Sequence, residues 1–167
     1  MNKLYKYSRN LIAIKKNKNS INRYVYNYLN NYIEKYNKIT SNCISDIPYF
    51  KIELVFKPFS NDLACCVTEH EADTMIYVGT RCIEVNLLAF VKYDIDTIDD
   101  MLKHELCHYI QFENNGFNYL DSLTDSHLKE GFLNACKVLN VRNSSPYLNY
   151  VFNKNGGVLY ENISRIL

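Results

Sequence analysis

Tryptophan is absent from this chain, and its 167 residues hold only 5 glycines and 3 prolines. That scarcity excludes collagen-like and Gly/Pro-rich low-complexity architectures. No internal repeat or Pro-rich linker divides the sequence, so it reads as a single domain over 1–167. No apolar run approaches the roughly 20 residues of a membrane span. The stretch Leu11-Ile12-Ala13-Ile14 is too short for the apolar core of a signal peptide and runs into Lys15 and Lys16. A soluble, cytoplasmic chain is therefore expected, with no membrane partner. The six cysteines form no CxxC pair, which excludes a zinc ribbon, and they lack the density of a secreted disulfide scaffold. They are expected to be buried, reduced thiols.

What is abundant is Asn, Lys, Ile and Tyr, the bias of an AT-rich coding sequence and a pointer to a bacterial or phage origin. In a phage, the host cytoplasm would be the compartment. The formal net charge is only +1. Residues 1–38 nevertheless carry nine basic side chains against Glu34 alone, so the rest of the chain is acidic by the difference. A basic N-terminal region of this kind can meet DNA or another acidic partner, or can be a solvated surface.

Hydrophobic periodicity predicts an amphipathic helix from Ser20, its N-cap, through Tyr36, with the tyrosines on the core stripe. Alternating runs at Tyr49–Phe56, Leu63–Thr68, Thr74–Val78 and Cys82–Leu87 predict strands. The charged segment Glu69–Asp73 reads as a hairpin loop, with His70 facing solvent. Leu88–Tyr93 reads as a short helix or turn. A long helix over about 97–114 starts at Thr97 and stops at Asn114-Asn115-Gly116. A second helix is expected from Ser126 to Leu139, and a short helical pattern in Val158–Leu167. The fold class is thus α+β: a small, largely antiparallel sheet flanked by helices. Its parts are a basic helical segment (about 1–40), a core (about 45–140) and a C-terminal extension (141–167).

The long helix carries His104-Glu105-Leu106-Cys107-His108. At about 100° per residue, the two histidines lie about 40° apart and Glu105 about 100° from His104, while Ile98, Leu102, Leu106 and Tyr109 take the opposite side. Two imidazoles one turn apart can hold one Zn2+, with Glu105 beside it as general base for water. Cys107 reads as a small hydrophobe inside the helix, not a nucleophile. A catalytic zinc takes three protein ligands and keeps one position open. The second helix offers His127 as the third, with Glu130, Gly131 and Asn134 on the same face; Glu130 is the competing ligand.

The runs Arg81–Leu87, Thr97–Tyr109 and Asp125–Glu130 together resemble the SprT-like metallopeptidase domain, over about residues 50–140. The resemblance implies a zincin-like fold with the HExxH helix beside a small sheet, a zinc held by His104, His108 and His127, and Glu105 as the catalytic residue. It implies a zinc metalloendopeptidase acting on a protein substrate; eukaryotic relatives called Spartan cleave proteins crosslinked to DNA. Leu128 stands where the family usually has Gly after the third histidine, and no cysteine-rich zinc ribbon follows. DNA contact would then fall to the basic N-terminal region. The alternative reading is a non-catalytic protein that uses a zincin scaffold to bind nucleic acid or a host protein.

Overall fold

Between Met1 and Pro48 there is neither glycine nor proline, and in the computed structural model the chain forms one helix there, α1 (Lys3–Thr40). The structure describes residues 3–57, 63–70, 77–115, 127, 129–141 and 158–167. Ser20 is therefore mid-helix instead of an N-cap, because no breaker precedes it and the apolar stripe extends upstream to Ile14. Ile14, Ile21, Val25, Leu29, Ile33 and Tyr36 are buried along one face. At its end the Thr40 hydroxyl donates to the Tyr36 carbonyl (2.9 Å) and Ser41 takes a left-handed φ of 58°. The chain then runs back along the helix. The Asn37 amide pairs with both N–H and C=O of Ile44 (3.0 and 2.8 Å), and Asn30 does the same for Ile47 (2.8 and 3.2 Å). Two side chains thus stand in for a strand partner and press Ile44 and Ile47 into the core.

Three strands follow: β1 (Ile52–Val55), β2 (Ala64–His70) and β3 (Tyr77–Asn86). They are ordered β1-β3-β2. β2 is antiparallel to β3, but β1 is parallel to it, with Ile52 opposite Ile83 and Leu54 opposite Val85. The sheet is mixed, which corrects the largely antiparallel expectation. The crossover from β1 to β3 places β2 on the far side of β3, so two consecutive strands do not pair. Glu69 and His70 belong to β2, not to a loop; the rest of that segment and Thr74–Ile76 lie outside the described residues, while Tyr77 and Val78 run on through Cys82–Asn86 as one strand, β3, where two were expected. Tyr49–Lys51 is a 3-10 turn leading into β1, not strand. The sheet buries Ile52, Ile83, Val85 and Ala64 and turns Glu53 and Cys65 outward.

After α2 (Ala89–Lys92) comes α3 (Ile95–Asn115). Its cap is Asp94, whose Oδ1 accepts the Thr97 N–H (2.8 Å); Thr97, the expected cap, lies in the first turn. α4 (Glu130–Leu139) packs against α3, and α5 (Val158–Ile166) against α1 and α2. α4 begins four residues later than Ser126, which itself lies outside the described residues, and ends on Asn140 with φ 54°. α5 is tied down by Asn162, buried, whose amide donates to the carbonyls of Phe90 (3.0 Å) and Tyr93 (2.8 Å). Both terminal helices therefore belong to the same α+β body; α1 contributes a row of residues to the main core cluster, and Ile163 and Ile166 pack on it. Among the described residues no helix is long and apolar enough to cross a membrane.

Candidate metal centre

The core fixes the rotation of α3: Ile98, Leu102, Leu106 and Ile110 are fully or almost fully buried. That rotation carries His104 and His108 to one side, exposed by only 4% and 8%. Their rings sit 5.0 Å apart between centroids. His127 closes the group from a 3-10 turn ahead of α4, not from the helix itself. Its Nε2 lies 3.1 Å from that of His104 and 3.3 Å from that of His108.

These spacings test whether the residues fit a zinc ion. Tetrahedral Zn–N bonds of about 2.0–2.1 Å place neighbouring donor nitrogens about 3.3 Å apart, so the His127 Nε2 stands at ligand separation from both others. Burial, and then the neighbouring His127, pushes the His104 pKa down to about 4. Near neutral pH that ring is uncharged and presents a lone pair, as ligation requires. Three imidazoles converging in a partly dry site have no acid among them to bridge their nitrogens; a divalent cation would.

Phe132, fully buried on α4, packs on all three rings, with centroids 4.3 Å from His108, 5.1 Å from His127 and 5.2 Å from His104. It holds His127 against α3. The residue pattern puts Phe132 on the core side of its helix; its contact with the histidines depends on how α4 docks, which no spacing reveals.

Glu105 is 7% exposed, and its Oε2 accepts the backbone N–H of Cys66 on the edge strand β2 at 2.9 Å. This bond orients the carboxylate. The donor is a backbone group and left no trace in the residue pattern. The Cys66 thiol is pushed well above its usual value by burial and then by Glu105.

Glu130 is not brought to the histidines. It is exposed and lines a separate cavity of about 480 Å3 with Tyr36, Asn42, Asn114, Gly131 and Asn134. Among the described residues two groups have donor atoms all within 4.8 Å of one another, and the one at this site is His104, His108 and His127. A second donor group, Glu53, Cys82 and Glu84, lies on the outer face of the sheet. There Lys57 pairs with Glu84, and burial and the two carboxylates raise the Cys82 thiol to about 11, leaving it protonated.

The expectation of six buried thiols fails for Cys43 and Cys65, both exposed, and for Cys66, half-buried; Cys82, Cys107 and Cys136 are buried, and all six are free. Cys107 hydrogen-bonds with Cys136 across the α3–α4 contact, and that bond and burial raise its pKa, which suits a packing role and not a nucleophile. No family model, curated protein or solved structure matches the chain.

Proposed function

We propose that the chain is a zinc-dependent metallopeptidase with a zincin-like, SprT-like fold, hydrolysing peptide bonds in proteins, including proteins associated with DNA. The observation that carries this reading is the convergence of three Nε2 atoms at 3.1 and 3.3 Å with a buried carboxylate on the residue after His104. His104, His108 and His127 would hold the metal. Zinc held there supplies Lewis acidity, bringing water's pKa to roughly 7 and polarising a carbonyl.

The chain's own residues do the rest. Glu105, anchored by the Cys66 N–H, takes the proton of the attacking water on its carboxylate and hands it to the departing amine nitrogen. The Cys66 bond orients the carboxylate for the first of these transfers. Phe132 limits the rotation of all three rings, so the ligand set is held in place before substrate arrives. The test is proteolysis of a denatured protein by the full chain: cleavage should stop on chelation and return on adding zinc. Cleavage that persists after the metal has been removed contradicts the reading.

A second reading, binding of nucleic acid without catalysis, draws on α1, where Lys15, Lys16, Lys18 and Arg23 are all exposed. Phosphate contacts there predict an affinity that falls steeply with salt, with a log–log slope of roughly −0.9 per neutralised phosphate on duplex DNA. A flat salt dependence removes that surface from consideration. Glu105 has no task in such a protein, so peptide hydrolysis remains the preferred reading.

A further inference from the structure

The polar strip of α4 takes no part in the histidine group, yet it borders a cavity. Glu130, Gly131 and Asn134 enclose a space of about 480 Å3 together with Tyr36, Asn42 and Asn114. That volume is in the range of small-ligand sites, about 300–1,000 Å3. The lining is one carboxylate, three side-chain amides and a phenol, and Glu130 is its only charged residue. Glu130, Asn114 and Asn134 are exposed, so a solute reaches them from outside. Among the described residues the Glu130 carboxylate has no hydrogen bond or ion pair, and neither has the side-chain amide of Asn42 or Asn134. The Asn114 Nδ2 donates to the Tyr36 hydroxyl (3.3 Å), which leaves the Asn114 Oδ1 as an acceptor.

The helices set the sign of the field in this space. Tyr36 belongs to the last turn of α1, which ends at Thr40, and Asn114 is the penultimate residue of α3. Both helices thus turn their negative, C-terminal ends to the cavity, each equivalent to roughly half an elementary charge. α4 brings its positive N-terminus, but the full charge of Glu130 in its first turn exceeds it. A cation is favoured there and an anion disfavoured. An acid in a first turn steadies its own helix, which accounts for Glu130 by itself but not for the three amides gathered around the same space.

We infer that this cavity is a binding site for a guanidinium group, an arginine side chain presented by another molecule. The inference does not depend on the peptidase reading. The acceptors stand on three separate parts of the chain: the Glu130 carboxylate and Asn134 on α4, Asn114 on α3, and Asn42 just past α1. A guanidinium spreads five N–H donors over a planar fork, whereas an ammonium directs three from one point, so acceptors set apart in this way suit arginine better than lysine. Glu130 belongs to neither of the donor groups placed to hold a metal, and the cation is therefore an organic one.

The experiment uses the isotope-labelled full chain and three probes of closely similar shape: N-acetyl-arginine methylamide, its neutral citrulline counterpart and its lysine counterpart. The side-chain amide signals of Asn42, Asn114 and Asn134 are followed by nuclear magnetic resonance as each probe is added. The arginine probe should shift them saturably, with the citrulline probe bound at least about tenfold more weakly, since hydrogen bonds to a charged group are worth roughly 1.5–3 kcal/mol. In Glu130→Gln the arginine probe should fall to the citrulline level. Asn134→Ala should weaken arginine by about 2–10-fold, the worth of one neutral hydrogen bond. Both positions are exposed, and signals remote from the cavity should keep their places in both variants. Arginine that leaves the three amides unmoved, citrulline that binds as well, or arginine binding intact in Glu130→Gln overturns the inference. Lysine bound as tightly as arginine overturns the assignment to a guanidinium.

Discussion

Replacing Glu105 separates its chemical role from its structural one, because the Cys66 N–H donates to its Oε2 at 2.9 Å. In Glu105→Gln the side-chain carbonyl can still accept that N–H, so folding is kept and the change in stability stays within about 1 kcal/mol, the difference between a charge-assisted and a neutral hydrogen bond. The base is gone, however, and general acid–base catalysis is worth about 10²–10⁴-fold, so kcat/KM on a denatured protein should fall by that factor. Glu105→Ala also strands the part-buried N–H, at about 1–3 kcal/mol. For a chain of this length that corresponds to a melting temperature about 2–12 °C lower. Neither variant should lose zinc, since Glu105 is not one of the converging ligands. Activity, zinc content and melting temperature measured on the same preparations decide the matter. If Glu105→Gln keeps activity within tenfold of wild type at equal zinc content, Glu105 is not the base; if it loses zinc, Glu105 is a ligand.

Two further predictions follow from the geometry. His127→Ala should weaken zinc binding by more than about 100-fold, since even outer-shell partners are worth roughly 10–100-fold, while Glu130→Ala leaves it unchanged; competition with a chromophoric chelator measures both, and the opposite pattern makes Glu130 the third ligand. At the α1–α3 seam, burial raises the Asp99 carboxyl to about 6 despite its hydrogen bond from the Tyr24 hydroxyl. The folded state thus holds this proton more tightly than the unfolded chain, whose carboxyl titrates near about 4, and the stability Asp99 contributes declines as pH rises from about 4 through 6. A side-chain amide at this position cannot ionise and still accepts from Tyr24, so Asp99→Asn should be more stable at pH 8 by roughly 1 kcal/mol after solvent screening, with the gap closing below about pH 4. Urea denaturation at both pH values tests this, and a difference that does not vary with pH contradicts it.

The sequence exposes those features whose cause is local. The apolar stripe of α3 and the facing of His104, Glu105 and His108 are set by one helical period, and the helix bounds lie within two residues of the expected 97–114. α1 was legible in kind but not in length: the start at Ser20 rested on a favourable capping residue, and the missing glycine and proline upstream proved the stronger signal. Strand pairing is not local. Nothing in Ile52–Val55 says that it lies parallel to β3 while β2 takes the other edge. The same holds for the site's supports. His127 was identifiable as a histidine of suitable chemistry, but its location ahead of α4, the stacking of Phe132 and the Cys66 N–H all arise from tertiary docking.

Peptide hydrolysis here requires a zinc ion between three imidazoles, and anomalous diffraction at the zinc edge from crystals of the full chain addresses that directly. One peak is expected, about 2.0–2.1 Å from the Nε2 atoms of His104, His108 and His127. A map without density there, or a peak whose third protein ligand is Glu130, contradicts it.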